Sequence, residues 1–85
     1  MHEMSVAMEI ARIAEQKLGA QASMLCTVAV EVGDDSGLEP SSLEFCLDVV
    51  FRTPPFTGAK PEILRRPGNV LQVAYLEIDD GCPDD

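Results

Sequence analysis

The chain has 85 residues, 46% of them apolar, and a formal net charge of −9. This length and apolar content predict one small folded domain with a single core. So negative a charge excludes nucleic acid and anionic membrane surfaces as partners, because both would repel the chain. Cations and basic protein surfaces are the partners that the charge favours.

The three cysteines, Cys26, Cys46 and Cys82, are odd in number, widely spaced and form no C-x-x-C pair. They match neither a disulfide framework nor a zinc-finger pattern. The sequence also has no recognisable signal peptide and no apolar run long enough to span a membrane. We therefore expect a cytoplasmic protein with reduced thiols, in which Cys26 and Cys46 act as small core residues.

The first part of the chain predicts a helix followed by a strand. Apolar residues recur at steps of three and four over residues 4–18, with Ser5 as the expected start cap and Gly19 as the stop. Over residues 24–32 the period changes to two, which predicts a strand. The residues expected to face inward on this strand are Cys26, Val28, Val30 and Val32.

The second part predicts one helix and two strands. Pro40 suits the first position of a helix that ends near Phe51. Residues 59–66 predict a short edge strand, and a turn signal at Gly68-Asn69 leads into a strand over residues 70–79, so that a tight hairpin is expected.

The order helix, strand, helix, strand, strand predicts an α/β domain of the α+β type over residues 1–80. We expect a two-layer sandwich in which two helices cover one face of a three-stranded sheet. The order of the strands stays open. Residues 81–85 are predicted to form a flexible acidic tail.

Residues for catalysis are nearly absent, so we expect no enzyme. The chain has one histidine, His2, and neither a G-x-x-x-x-G-K-[ST] nor a G-x-G-x-x-G phosphate-binding loop. The carboxylates of Asp34, Asp35 and Glu39 predict a solvated acidic surface, with a weak cation site as the alternative.

The amino terminus is the candidate metal site. The terminal amine of Met1, the amide and one imidazole nitrogen of His2 and the amide of Glu3 can form a square-planar field that suits Ni²⁺ or Cu²⁺. Two deprotonated amides would also offset the metal's charge at the positive end of the following helix. The alternative is an ordinary histidine at a frayed terminus.

Several segments resemble the HypA/HybF family of hydrogenase maturation proteins. The opening residues MHEMSVA, the segments VEVG at 30–33 and SGLEP at 36–40, and the apolar pattern of residues 71–78 carry the similarity over nearly the whole chain. The resemblance implies a nickel metallochaperone with ligands at Met1, His2 and Glu3. It also implies delivery of Ni²⁺ with a HypB-type GTPase and the hydrogenase large subunit as partners.

One departure from the family pattern is large. Family members carry a zinc-binding insertion with two C-x-x-C pairs between the last two strands, and here Pro67-Gly68-Asn69 stands in its place. We therefore expect no structural zinc and no zinc domain. Two alternatives stay open: a metal-free interaction module that uses Asp34, Asp35, Glu77 and Asp79, and a homodimer formed by strand exchange.

Overall fold

The computed structural model describes residues 2–79, so Met1 and the predicted tail at 81–85 lie outside the described residues. Helix α1 covers Glu3–Leu18, a short 3₁₀ helix covers Gly19–Met24, and strand β1 covers Leu25–Gly33. Helix α2 covers Pro40–Val50, and strands β2 and β3 cover Lys60–Arg66 and Leu71–Ile78. The predicted order of helices and strands is confirmed. The 3₁₀ helix was not predicted.

The three strands form one sheet in the order β2-β1-β3, with β1 in the centre. Strand β1 runs parallel to β2 and antiparallel to β3. Both helices pack on one face of this sheet, where their apolar side chains form the core with Val28, Val30 and Val32 of β1. The predicted two-layer sandwich is therefore confirmed.

The predicted hairpin at Gly68-Asn69 is wrong, because β2 and β3 lie on opposite sides of β1 and do not pair with each other. The connection crosses the carboxyl end of β1 instead. Gly33 donates its N–H to the carbonyl oxygen of Val70 at 2.7 Å, and Asp35 donates to the carbonyl of Gly68 at 2.7 Å. A Cβ at Gly33 would clash with the Gly68 carbonyl oxygen and lie 2.7 Å from the Val70 nitrogen. The crossing therefore requires glycine at this position.

The side chains of β1 follow a different phase from the predicted one at the start of the strand. The pairing with β3 is irregular between Leu25 and Thr27, and Leu25 is buried while Cys26 is only half-buried. A bulge adds a residue on one side and so shifts which side chains face the core. Cys26 is disulfide-bonded, which overturns the prediction of reduced thiols for this residue. Cys46 is free and packs half-buried against the core, as predicted.

On the face of the sheet away from the helices, Ala29 is also fully buried. It pairs with Glu62 on one side and Tyr75 on the other. The Tyr75 hydroxyl donates a hydrogen bond to Oε1 of Glu62 at 2.6 Å, so the two side chains meet across Ala29. This bond ties β2 to β3 over the central strand. No helix within residues 2–79 is long and apolar enough to cross a membrane.

Candidate metal centre at the start of the first helix

His2 is the residue that precedes the first turn of α1. It occupies the cap position that had been predicted for Ser5. Its side chain is exposed and makes no capping hydrogen bond. The His2 carbonyl accepts the first helical hydrogen bond from the Val6 N–H at 2.9 Å. The imidazole therefore projects from a fixed point of the backbone and stays accessible.

The backbone of His2 brings two main-chain nitrogens together. Its ψ angle, the torsion that relates the His2 nitrogen to the Glu3 nitrogen, is 33°. A torsion this small places both nitrogens on the same side of the Cα–C bond, as a metal chelated by both would require. The Glu3 amide lies in the first helical turn, where N–H groups have no acceptor within the helix. Its use as a ligand would break no helical hydrogen bond.

The Glu3 side chain has a structural contact that the sequence did not reveal. It is 8% exposed, and its Oε2 accepts a hydrogen bond from the Glu39 N–H at 2.9 Å. Glu39 in turn caps α2, because its Oε1 accepts from the Ser42 N–H at 2.8 Å. That backbone hydrogen bond holds the pKa of the Glu39 carboxyl below its usual value. Glu3 thus anchors the start of α1 to the start of α2 and leaves its own amide for other use.

The acidic loop does not form a cation site within the described residues. Oδ1 of Asp34 accepts from Nη2 of Arg65 at 3.2 Å, and the Glu39 carboxylate is occupied as the cap of α2. Residues 2–79 contain no group of three or more His, Cys, Asp or Glu side chains that could hold a metal ion. Any metal site there needs main-chain nitrogens in addition to side chains.

The surface expected for a metal-free interaction module is not one patch. Asp34 and Asp35 follow β1 at its carboxyl end, next to the crossing connection. Glu77 pairs with Thr27 near the other end of β1, and Asp79 donates its N–H to the Met24 carbonyl beyond that end. The structure therefore separates the two halves of the predicted surface by most of the length of the strand.

The structure is a small two-layer α+β domain in which an exposed histidine precedes the first helix. Comparison with known proteins shows the family to which this domain belongs. Residues 1–71 match the family described as "Hydrogenase/urease nickel incorporation, metallochaperone, hypA". The match covers all elements up to the first residue of β3.

Proteins named hydrogenase maturation factor HypA are similar over most of the chain. The protein from Alkalilimnicola ehrlichii is 38% identical, covering 99% of this chain and 80% of its own length. The protein from Geobacter metallireducens is 37% identical over 80% of this chain and 60% of its own length. The protein from Azotobacter chroococcum is 34% identical, covering 98% of this chain and 80% of its own length. The chain therefore belongs to the HypA family of hydrogenase maturation metallochaperones.

Proposed function

We propose that this chain binds Ni²⁺ at its amino terminus and delivers it during maturation of nickel–iron hydrogenase. The proposed ligands are the terminal amine of Met1, the amide and imidazole of His2 and the amide of Glu3. The observation that carries the proposal is the ψ angle of 33° at His2, which aligns two of these nitrogens next to an exposed imidazole. Contiguous nitrogen donors of this kind suit square-planar Ni²⁺.

Nickel is the cargo in this proposal, and transfer requires only exchange between ligand sets. The imidazole and both amides must lose protons to bind, so affinity falls as the pH is lowered. The exposure of His2 supports the proposal, because a recipient's ligands must be able to reach the metal. By family, the proposed partners are a HypB-type GTPase and the hydrogenase large subunit. A cytoplasmic location and the absence of structural zinc are part of the same proposal.

The test is isothermal titration of Ni²⁺ into the tag-free chain. We expect one equivalent to bind, with the visible absorption of square-planar nickel, and we expect His2→Ala to abolish binding. Asp35→Ala, which removes an exposed carboxylate far from His2 in sequence, should bind as the unmodified chain does. A chain extended by Gly-Ser before Met1 keeps the imidazole but displaces the amine and should bind more weakly. Equal binding by the His2→Ala chain would contradict the site.

A matched pair of variants isolates the Glu3 amide. Glu3→Ala removes the side chain and keeps the amide hydrogen, so nickel binding should be retained. Glu3→Pro also removes the amide hydrogen, at a helical position where proline is tolerated, and it favours an extended ψ at the preceding residue. Nickel binding should be lost in the proline variant alone. Equal affinities in the two variants would remove the Glu3 amide from the ligand set.

The Glu3 carboxylate is expected to stabilise the fold. In Glu3→Ala the Glu39 N–H loses its acceptor, so the free energy of unfolding should fall by about 1–3 kcal/mol. Urea unfolding measures this loss.

Elemental analysis of the purified chain tests for zinc. Stoichiometric zinc in the purified chain would contradict the proposal that structural zinc is absent.

A further inference from the structure

An apolar groove lies between the first half of α1 and the beginning of β3, on the side of α1 away from α2. Its volume is about 290 Å³. This is the lower end of the range for small-molecule pockets and suits one or two apolar side chains better than a cofactor. The residues that line it are Ser5, Val6, Glu9, Ile10, Ile13, Leu71, Gln72 and Val73.

The groove runs beside an open edge of the sheet. Within residues 2–79, β3 is the last strand on its side and pairs only with β1. The Val70 carbonyl accepts from Gly33 in the direction of β1, so alternation along the strand directs the backbone of Gln72 toward β1. The N–H and C=O groups of Leu71 and Val73 therefore point outward. An extended peptide could pair with them and place a side chain in the groove.

Strand β3 has little in its sequence that would prevent edge pairing, and its one irregularity is a register shift between Val73 and Tyr75. Its sequence from Leu71 to Ile78 contains no proline and no basic residue, and Glu77 is its one charged residue. Leu71 and Ile78 are 41% and 36% exposed. The regular stretch Leu71–Val73, which lies beside the groove, is therefore available for pairing with another chain.

Charge decides between the candidate occupants. The chain carries a net charge of −9. At the rim of the groove, Glu9 is paired with Arg12 and Gln72 is hydrogen-bonded to Glu31 at 2.6 Å, so the attraction for a basic partner comes from the charge of the whole chain. A second copy would bring the same negative charge, and its β3 offers no basic residue in return. Lysine or arginine residues on an incoming strand would instead be attracted.

We propose that the β3 edge and the adjoining groove bind an extended segment of a partner protein, with an apolar side chain in the groove flanked by basic residues. This interaction is separate from the nickel site, since none of the groove residues is a proposed ligand. A failure of partner binding can therefore be distinguished from a failure of nickel binding, because both are measured on each variant described below.

The experiment uses three labelled peptides with the full chain, measured by fluorescence anisotropy. The first alternates lysine with valine and leucine over seven residues, the second has glutamate in place of lysine, and the third repeats the first with N-methylated amides on the pairing edge. The lysine peptide is expected to bind, and the other two at least about tenfold more weakly, because one loses charge attraction and the other strand pairing.

Matched variants locate the peptide on the chain. Leu71→Lys and Ile13→Lys each place an ammonium group in one wall of the groove and should weaken binding at least about tenfold. Met8→Lys makes the same change in charge at a residue of α1 that is 59% exposed and outside the groove, so binding should be nearly unchanged. Circular dichroism and nickel titration check that each variant is folded.

Two outcomes overturn the proposal. Equal binding of the methylated peptide, or equal binding by Leu71→Lys and Met8→Lys, would mean that the lysines interact with the acidic surface in general. The second outcome would be seen by light scattering. If a dimer forms with increasing concentration, competes with the peptide and is abolished by Leu71→Lys, a second copy of the chain is the occupant.

Discussion

The two edges of the sheet are built from different residues. Strand β2 contains two arginines, a lysine and a proline among its seven residues, Lys60–Arg66. Strand β3 contains none of these residue types over Leu71–Ile78. Basic residues and proline are two of the means by which proteins prevent their edge strands from pairing with other chains. The β2 edge has both, whereas β3 has only the irregularity between Val73 and Tyr75, so the β2 edge is the better protected of the two.

The basic residues of β2 are also used within the molecule. Arg65 donates to Asp34 at 3.2 Å, and Arg66 lies 3.4 Å from Glu31 of the central strand. These exposed ion pairs contribute little to stability, but they hold the two arginine side chains along this edge. At β3 an apolar groove adjoins the edge instead. The asymmetry supports the proposed binding of a partner segment at β3, and the proposed nickel site lies elsewhere, at the start of α1.

The largest expected effect concerns the connection that places the two edges on opposite sides of β1. Gly33→Ala puts a Cβ against the Gly68 carbonyl and 2.7 Å from the Val70 nitrogen, and these are backbone atoms that cannot rotate away. The free energy of unfolding should fall by about 3 kcal/mol, measured by urea denaturation.

Gly58→Ala is the control for this substitution. Gly58 has φ +109° and open space around it, so alanine there meets backbone strain alone, with an expected cost of about 1 kcal/mol. A Gly33→Ala cost no larger than the Gly58→Ala cost would mean that the crossing adapts readily. The separation of the two edges would then not depend on Gly33.

A smaller effect is expected when the better protected edge, β2, is opened. Pro61→Val adds a backbone N–H to β2 and removes the restriction that proline places on the unfolded chain. The free energy of unfolding should fall by about 0.5–1 kcal/mol. Self-association on prolonged incubation should increase, as measured by light scattering. Leu64→Val serves as the control, because Leu64 lies on the same strand as Pro61. The reverse change on the β3 side, Val70→Pro, is not suitable because Val70 belongs to the crossing connection.

If Pro61→Val and Leu64→Val associate to the same extent, proline is not what protects the β2 edge. The charges of Lys60, Arg65 and Arg66 would then be the remaining explanation, and high salt should increase association in all three chains by screening them. If salt has no such effect either, the proposed difference between the edges would not hold.

The sequence predicted the helices and strands to within one or two residues, because their signals are local. Pro40 begins α2 and Gly19, with φ 54°, ends α1, and each acts through its own backbone. The hairpin prediction failed for the same reason. Gly68-Asn69 indicates that the chain turns, but which strands then pair is decided by packing around β1.

At the candidate site, too, only the features with a local signal could be predicted from the sequence. His2 was proposed as a ligand from its position next to the terminus; the structure shows that it is exposed, and its role stays a prediction. The contact of Glu3 with the Glu39 amide joins residues 36 apart in sequence, so no local pattern could predict it. The burial of Leu25 in place of Cys26 depends on an irregularity in pairing with β3, which is also a property of the assembled sheet.

The smallest expected effect concerns the hydrogen bond that joins the two edges. The Tyr75 hydroxyl donates to Glu62, and this bond raises the pKa of Tyr75 above its ordinary value. Because the pKa of Tyr75 is higher in the folded chain than in the unfolded chain, its hydroxyl stabilises the fold. This stabilisation is fully present below the ordinary tyrosine pKa of about 10 and is lost as the pH rises through the pKa of the folded state. Tyr75→Phe should therefore be slightly less stable than the unmodified chain at neutral pH, and the difference should vanish in strongly alkaline solution.

Urea unfolding of both chains at the two pH values measures this difference. Gln72→Leu is the control, because Gln72 bonds to Glu31 of the central strand rather than directly to the opposite edge, and it does not titrate. Its effect on stability should not acquire the alkaline dependence seen with Tyr75→Phe. A Tyr75→Phe effect that persists unchanged at alkaline pH would assign the loss to packing of the ring over Ala29. The edges would then be held by the central strand and the crossing alone.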